Sequence, residues 1–174
     1  MFALRLIQTV DDGLAHVERW LAIVLTAALT GIMMTQVVMR YFFNAPLFWA
    51  EEVAVQLLVF MTLIGLSLLV RSERLVSVDF LPQALSERNA HWLKLLLGIA
   101  FLVLLLFLAK LGWEWVSRAD VRMERGATVR LPRWYNYSVL PAAMISMSWH
   151  QFAAVVRHAR AAITASVAGR AAQC

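Results

Sequence analysis

The sequence predicts an all-α integral membrane protein with four transmembrane helices, forming a single membrane domain over residues 1–174. Three observations carry this expectation. Apolar residues make up 61% of the chain and charged residues 16%, against about 45–50% and about 25% in soluble domains. A soluble fold of this size would leave much of that apolar surface in water, where large patches are rare. Four stretches reach the ~20 mostly apolar residues that a helix needs to cross a hydrocarbon core, and polar segments separate them. The same composition excludes a disordered chain. The formal charge of +5 reads as basic loops that orient a membrane protein, and no nucleic-acid partner is expected. Cys174 is the single cysteine, so no internal disulfide forms. As the last residue it is not a prenylation box, whose cysteine stands fourth from the end.

The first span is expected over about residues 20–40, since Trp20 to Met39 holds no charge. Its late start and the acidic Asp11, Asp12 and Glu18 before it argue against a cleaved signal peptide, which opens on a basic segment. Ala27, Gly31 and Thr35 make a small-residue ridge suited to close packing against a helix of this chain or of another. The second span, about 48–70, is interrupted between Val53 and Val70 only by Gln56, Thr62 and Ser67. The third, about 92–115, is built on the unbroken apolar run from Leu95 to Ala109. It is expected to continue as helix beyond the membrane, where Lys110, Glu114 and Arg118 repeat every four residues in the favourable order, until Gly126 ends the helical region. The fourth, about 135–156, is softer: it carries Asn136, Ser138, Ser146, Ser148, His150 and Gln151, with Pro141 in its first two turns as a kink site. A tail, residues 157–174, follows. Trp20, Trp92, Trp113, Trp115, Trp134, Tyr135 and Tyr137 read as interface belts.

Four spans put both termini on one side of the bilayer. Nine Lys and Arg residues fall on that side (Arg5, Arg19, Arg71, Arg74, Arg88, Lys94, Arg157, Arg160, Arg170) and seven on the other. The small excess leans toward cytoplasmic termini.

Soluble-enzyme signatures are missing: there is no glycine-rich phosphate loop, no H-E-x-x-H, no paired cysteines and no G-x-S-x-G. No catalytic, cofactor-binding or metal-ligating residue is assigned, and no cofactor is expected. The most informative stretch runs from Gln36 to Glu52. Asn44 suits the cap of the next helix and Pro46 its first turn, which makes a tight helical hairpin with Phe48 and Trp49 at headgroup level. Arg40 ends one span and Glu51 and Glu52 begin the next. The two glutamates point about 100° apart on a helix, so one of them, with Glu52 favoured, is expected to pair with Arg40. Such a pair anchors the hairpin, docks another subunit, or holds a proton or cation, in descending order of weight. His150 is the one histidine inside a span, and bis-His haem needs two at matching depth; beside Gln151 it reads as an inter-helix hydrogen-bonding group.

The stretch from Gln36 to Glu52 resembles the R-Y-x-F-N-x-P-x-x-W-x-E-E signature of the small membrane subunit of tripartite ATP-independent periplasmic (TRAP) transporters. Two further segments are similar to the family: Val70-Arg71 through Val78-Asp79-Phe80, and Leu131-Pro132-Arg133-Trp134-Tyr135-Asn136-Tyr137 with Pro141, the latter tighter by one residue. Together they cover residues ~20 to ~155 in order. Leu75 stands where the family often has a histidine, so a role for that histidine does not carry over, whereas Asp79 matches.

The resemblance implies a bacterial inner-membrane protein with cytoplasmic termini. It implies two partners, a large membrane subunit that holds substrate and sodium sites and a periplasmic solute-binding protein. This chain would then act as scaffold in importing an organic anion such as a dicarboxylate, sialic acid or another sugar acid. The candidate structural and docking residues are Arg40, Asn44, Pro46, Trp49, Glu51, Glu52, Asp79, Pro132, Trp134 and Tyr137. Two rival expectations are a small self-sufficient exporter with Glu52 as its proton site, and a haem-bearing anchor of a dehydrogenase.

Overall fold

A computed structural model describes residues 2–73, 87–128 and 130–171, with side chains over 5–73, 92–128 and 130–160. Its elements are α1 (Phe2–Phe42), α2 (Phe48–Arg71), α3 (Glu87–Ser117), α4 (Ala119–Met123) and α5 (Trp134–Ala171). Among the described residues there is no strand, only a single antiparallel bridge between Arg125 and Pro132. Four helical segments are long and apolar enough to cross a membrane: Arg5–Phe42, Phe48–Arg71, Trp92–Ser117 and Trp134–Arg160. The all-α, four-span expectation therefore holds.

The helices stand in a row, with α1 against α2, α2 against α5 and α5 against α3, and α1 also touches α5. Residue spacing explains the contacts. On α1 the covered positions Asp11, Ala15, Glu18, Ala22, Leu25, Leu29, Ile32 and Gln36 alternate steps of four and three, one stripe along the helix, as a seam between two helices requires. On α3 the buried Gly98, Leu105, Ala109, Gly112 and Val116 follow at steps of seven, four, three and four, again one stripe. The two glycines let α5 approach. A Cβ on Gly98 would lie 3.2 Å from Val155 Cγ2, and one on Gly112 would lie 3.5 Å from Pro141 Cβ. Pro141, set inside α5, is thus packed against the one side chain that takes no room.

Val70, Leu105, Ala143 and Met147 form the apolar centre, flanked by Leu63, Leu66, Phe101 and Met144. In lipid such burial gains little from water exclusion, so close packing and inter-helix polar contacts must hold the row together.

Three local expectations change. Asn44 does not cap the second helix: it takes a left-handed conformation, φ 51°, one that asparagine tolerates, and ends α1. The Ala45 amide bonds back to the Met39 carbonyl at 3.0 Å, while Leu47 occupies the cap of α2 without a side-chain bond. α1 begins far ahead of its apolar stretch, and its 41 residues give about 62 Å, twice a ~30 Å core. Finally, α3 stops at Ser117. Lys110 meets Glu114 at 3.7 Å as the spacing predicts, but Arg118 turns to Asp120 at 3.0 Å and the chain breaks into α4.

Candidate functional site

The polar side chains gather at the two ends of the row. At the hairpin end, α2 opens with Glu51 and Glu52. Gln36 Nε2 of α1 donates to Glu51 Oε1 at 3.1 Å. Glu52, its side chain 13% exposed, faces the connection between α4 and α5. There the Gly126 amide donates to the Leu131 carbonyl at 2.9 Å, and the Arg133 amide to the Glu124 carbonyl at 3.0 Å. These bonds close a small loop whose Arg130 is left-handed, φ 52°.

The loop wraps the carboxylate. The Thr128 amide donates to Glu52 Oε2 at 2.8 Å, and Arg133 Nη2 lies 3.9 Å from Oε1. A Cβ on Gly126 would strike the same carboxylate, so a side chain here would push the Glu52 carboxylate out of its present place. Tyr137 secures the loop from below: its hydroxyl donates to Glu124 Oε2 at 3.0 Å and its ring lies 4.7 Å from that of Trp115. A cavity of about 500 Å³ opens beside Glu51, Glu52, Gln56, Arg133, Asn136 and Tyr137.

The Arg40–Glu52 pair expected across the hairpin is therefore corrected. The guanidinium that approaches Glu52 is that of Arg133, which the amide ladder of the loop points back at α2. Arg40 itself is exposed. Of the other candidates, Pro132 forms the loop's bridge and Trp134 stacks on Tyr135 at 3.8 Å. Asn44 and Pro46 are exposed on the hairpin, as is Trp49 at 44%. Asp79 lies outside the described residues.

At the opposite end stands a cluster that the sequence reading did not assemble. His150 is completely buried in α5, with Nδ1 2.6 Å from Asp11 Oδ1 and Nε2 3.1 Å from Glu18 Oε2. An ionised carboxylate only accepts, so the three groups share two protons. Ser67 of α2 donates to Glu18 Oε1 at 2.7 Å, and Ser146 of α5 bonds the same oxygen. Arg71 Nε reaches Asp11 Oδ2 at 3.2 Å and its Nη2 pairs with Asp12. Arg157 Nη2 and His158 Nε2 both lie 3.0 Å from Glu73.

The inter-helix hydrogen bond expected of His150 is present, and with both ring nitrogens occupied by carboxylates this imidazole has no lone pair to offer an iron. Gln151 donates to the Gly98 carbonyl at 3.0 Å. The signal for the cluster was in the sequence: Asp11, Ala15 and Glu18 follow the helical i, i+4, i+7 pattern, which marks one covered face.

The small-residue ridge of α1 points away from the row. Ala27, Gly31 and Thr35 are exposed, and a Cβ on Gly31 would meet nothing within 4 Å. Large apolar side chains on the outer faces of α1 and α3, including Val24, Met34, Leu96, Val103 and Phe107, are also uncovered.

A row of apolar helices fastened by polar contacts at both ends is a multi-pass membrane protein. Comparison with known proteins makes this specific. The family model described as "Tripartite ATP-independent periplasmic transporters, DctQ component" matches residues 29–161, and the chain belongs to that family. It is 29% identical over 136 residues to the sialic acid TRAP transporter small permease protein SiaQ of Vibrio cholerae, covering 78% of each chain. It is also 38% identical over 71 residues to the sialic acid TRAP transporter permease protein SiaT of Haemophilus influenzae. That match covers 41% of this chain but only 12% of the relative, so the chain corresponds to a small part of that protein's length.

Proposed function

We propose that this chain is the small, scaffolding membrane subunit of a TRAP-type secondary transporter. It stands beside a large permease subunit that carries the substrate path, and a periplasmic solute-binding protein delivers an organic anion, with sialic acid or another sugar acid as the leading class. The membrane is the bacterial inner membrane, and both termini are cytoplasmic.

The observation that carries the reading is membership of the family over residues 29–161. Three features support it. The ionic groups described above gather toward the two ends of the helix row, whereas a transport site is built near mid-membrane. The outer faces of α1 and α3 are apolar and carry the small-residue ridge, as a surface that meets other helices should. The permease relative in H. influenzae holds its matching segment within a far longer chain, which fits a segment that works beside a larger membrane body. The exporter reading is disfavoured, because Glu52 is wrapped by a backbone amide and a guanidinium.

The test is purification of the tagged chain from its native membrane in mild detergent, with mass spectrometry of what accompanies it. A roughly stoichiometric, larger polytopic partner is expected. A chain that arrives alone or only with itself overturns the reading.

A further inference from the structure

We propose that the cavity at the terminal end of the row is a binding site for a phosphate-bearing anion, with the headgroup of an anionic lipid as its source. The cavity holds about 430 Å³ between α1, α2 and α5, and its polar lining includes Arg19, Arg71, Arg157, Gln8, Asp12 and Ser72. Its depth is that of a headgroup. Arg19 immediately precedes Trp20, where the uncharged stretch of α1 begins, Arg71 ends α2, and Arg157 lies in the last turn of the span Trp134–Arg160.

One of the lining guanidiniums is left without a partner among the described residues. Three guanidiniums line the cavity against two carboxylates, Asp11 and Asp12. Asp11 is already held by His150 and Arg71, and Asp12 by Arg71. Arg157 is engaged by Glu73. Arg19 makes no hydrogen bond or ion pair among the described residues, so its donor fork is the surplus, and planar guanidinium donors match phosphate oxygens. The uncovered apolar surface of α1 from Leu21 to Val24 begins two residues further on and gives acyl chains a path from the headgroup.

The full chain in detergent is titrated with dihexanoyl phosphatidylglycerol, dihexanoyl phosphatidylcholine and inorganic phosphate, with occupancy read by native mass spectrometry. One phosphatidylglycerol is expected per chain, at least tenfold tighter than the zwitterionic lipid. Arg19→Gln should weaken it about fivefold, the effect of the ~1 kcal/mol that a basic residue contributes near an anionic surface. Arg5→Gln, about 21 Å further along α1, should leave it unchanged. Inorganic phosphate that binds as tightly as the lipid with the same Arg19 dependence upholds the anion site and assigns it to the free ion. Equal affinity for both lipids, or phosphatidylglycerol binding indifferent to Arg19→Gln, overturns the proposal.

Discussion

The two ends of the helix row solve the same problem by different means. At the terminal end, side chains of three helices meet directly: an imidazole is clasped by two carboxylates of α1, and serines of α2 and α5 share one of them. At the hairpin end a loop does the work, bringing a backbone amide and a glycine's empty flank to a single carboxylate. The first is a charged lock, dependent on the identity of each partner. The second is a shape-dependent lock, dependent on one residue having no side chain. Between them the helices share mainly apolar contacts, which in lipid give little preference for one partner over another.

The difference is open to attack in graded steps. Removing Glu18 or His150 by alanine leaves buried charge uncompensated and should cost about 3–5 kcal/mol. A thermal melt in detergent should show the largest loss of the series, and an unchanged midpoint would mean the cluster is not buried in the folded protein. Gly126→Ala should cost about 1–3 kcal/mol by forcing a methyl group against the Glu52 carboxylate. Combined with Glu52→Ala, much of that loss should return, because the obstacle is gone; strictly additive losses would break the account of the loop. Arg133→Ala, across a 3.9 Å pair with the arginine side chain 39% exposed, should cost under about 1 kcal/mol. Arg40→Ala should be the smallest, within about 0.5 kcal/mol, and a double-mutant cycle should find no coupling to Glu52. A coupling larger than that of Arg133 would restore the cross-hairpin pair.

Much of the architecture was legible because lipid imposes a blunt rule: a long apolar stretch must be a helix. The four spans expected from about residues 20, 48, 92 and 135 follow from that rule. Partners were harder to read. Glu52 meets Thr128, 76 residues further along the chain, through a loop held by its own backbone bonds, and no local pattern announces such a meeting. Arg40 looked the better partner because it was near in sequence. Asp11 and Glu18 were passed over for another reason. Lying before the apolar run, they served only as an argument against a signal peptide, and only the stripe they share with Ala15 shows that the helix and its packing continue outward past the hydrocarbon. His150 was correctly taken for a hydrogen-bonding group, but its carboxylate partners lie on the far end of the chain. The ridge at Ala27, Gly31 and Thr35 told of close packing without telling in which direction.

One helix carries both locks. Glu52 and Ser67 lie on α2 fifteen residues apart, about 22 Å along a rod that cannot stretch. The separation between the two fastened planes is therefore set by residue count and not by the surrounding lipid. In a bilayer thicker or thinner than this strut suits, the row as a whole must lean, or the lipid must pinch or swell around it. The molecule then acts as a rigid gauge of membrane thickness, and whatever packs on its outer faces inherits that fixed height.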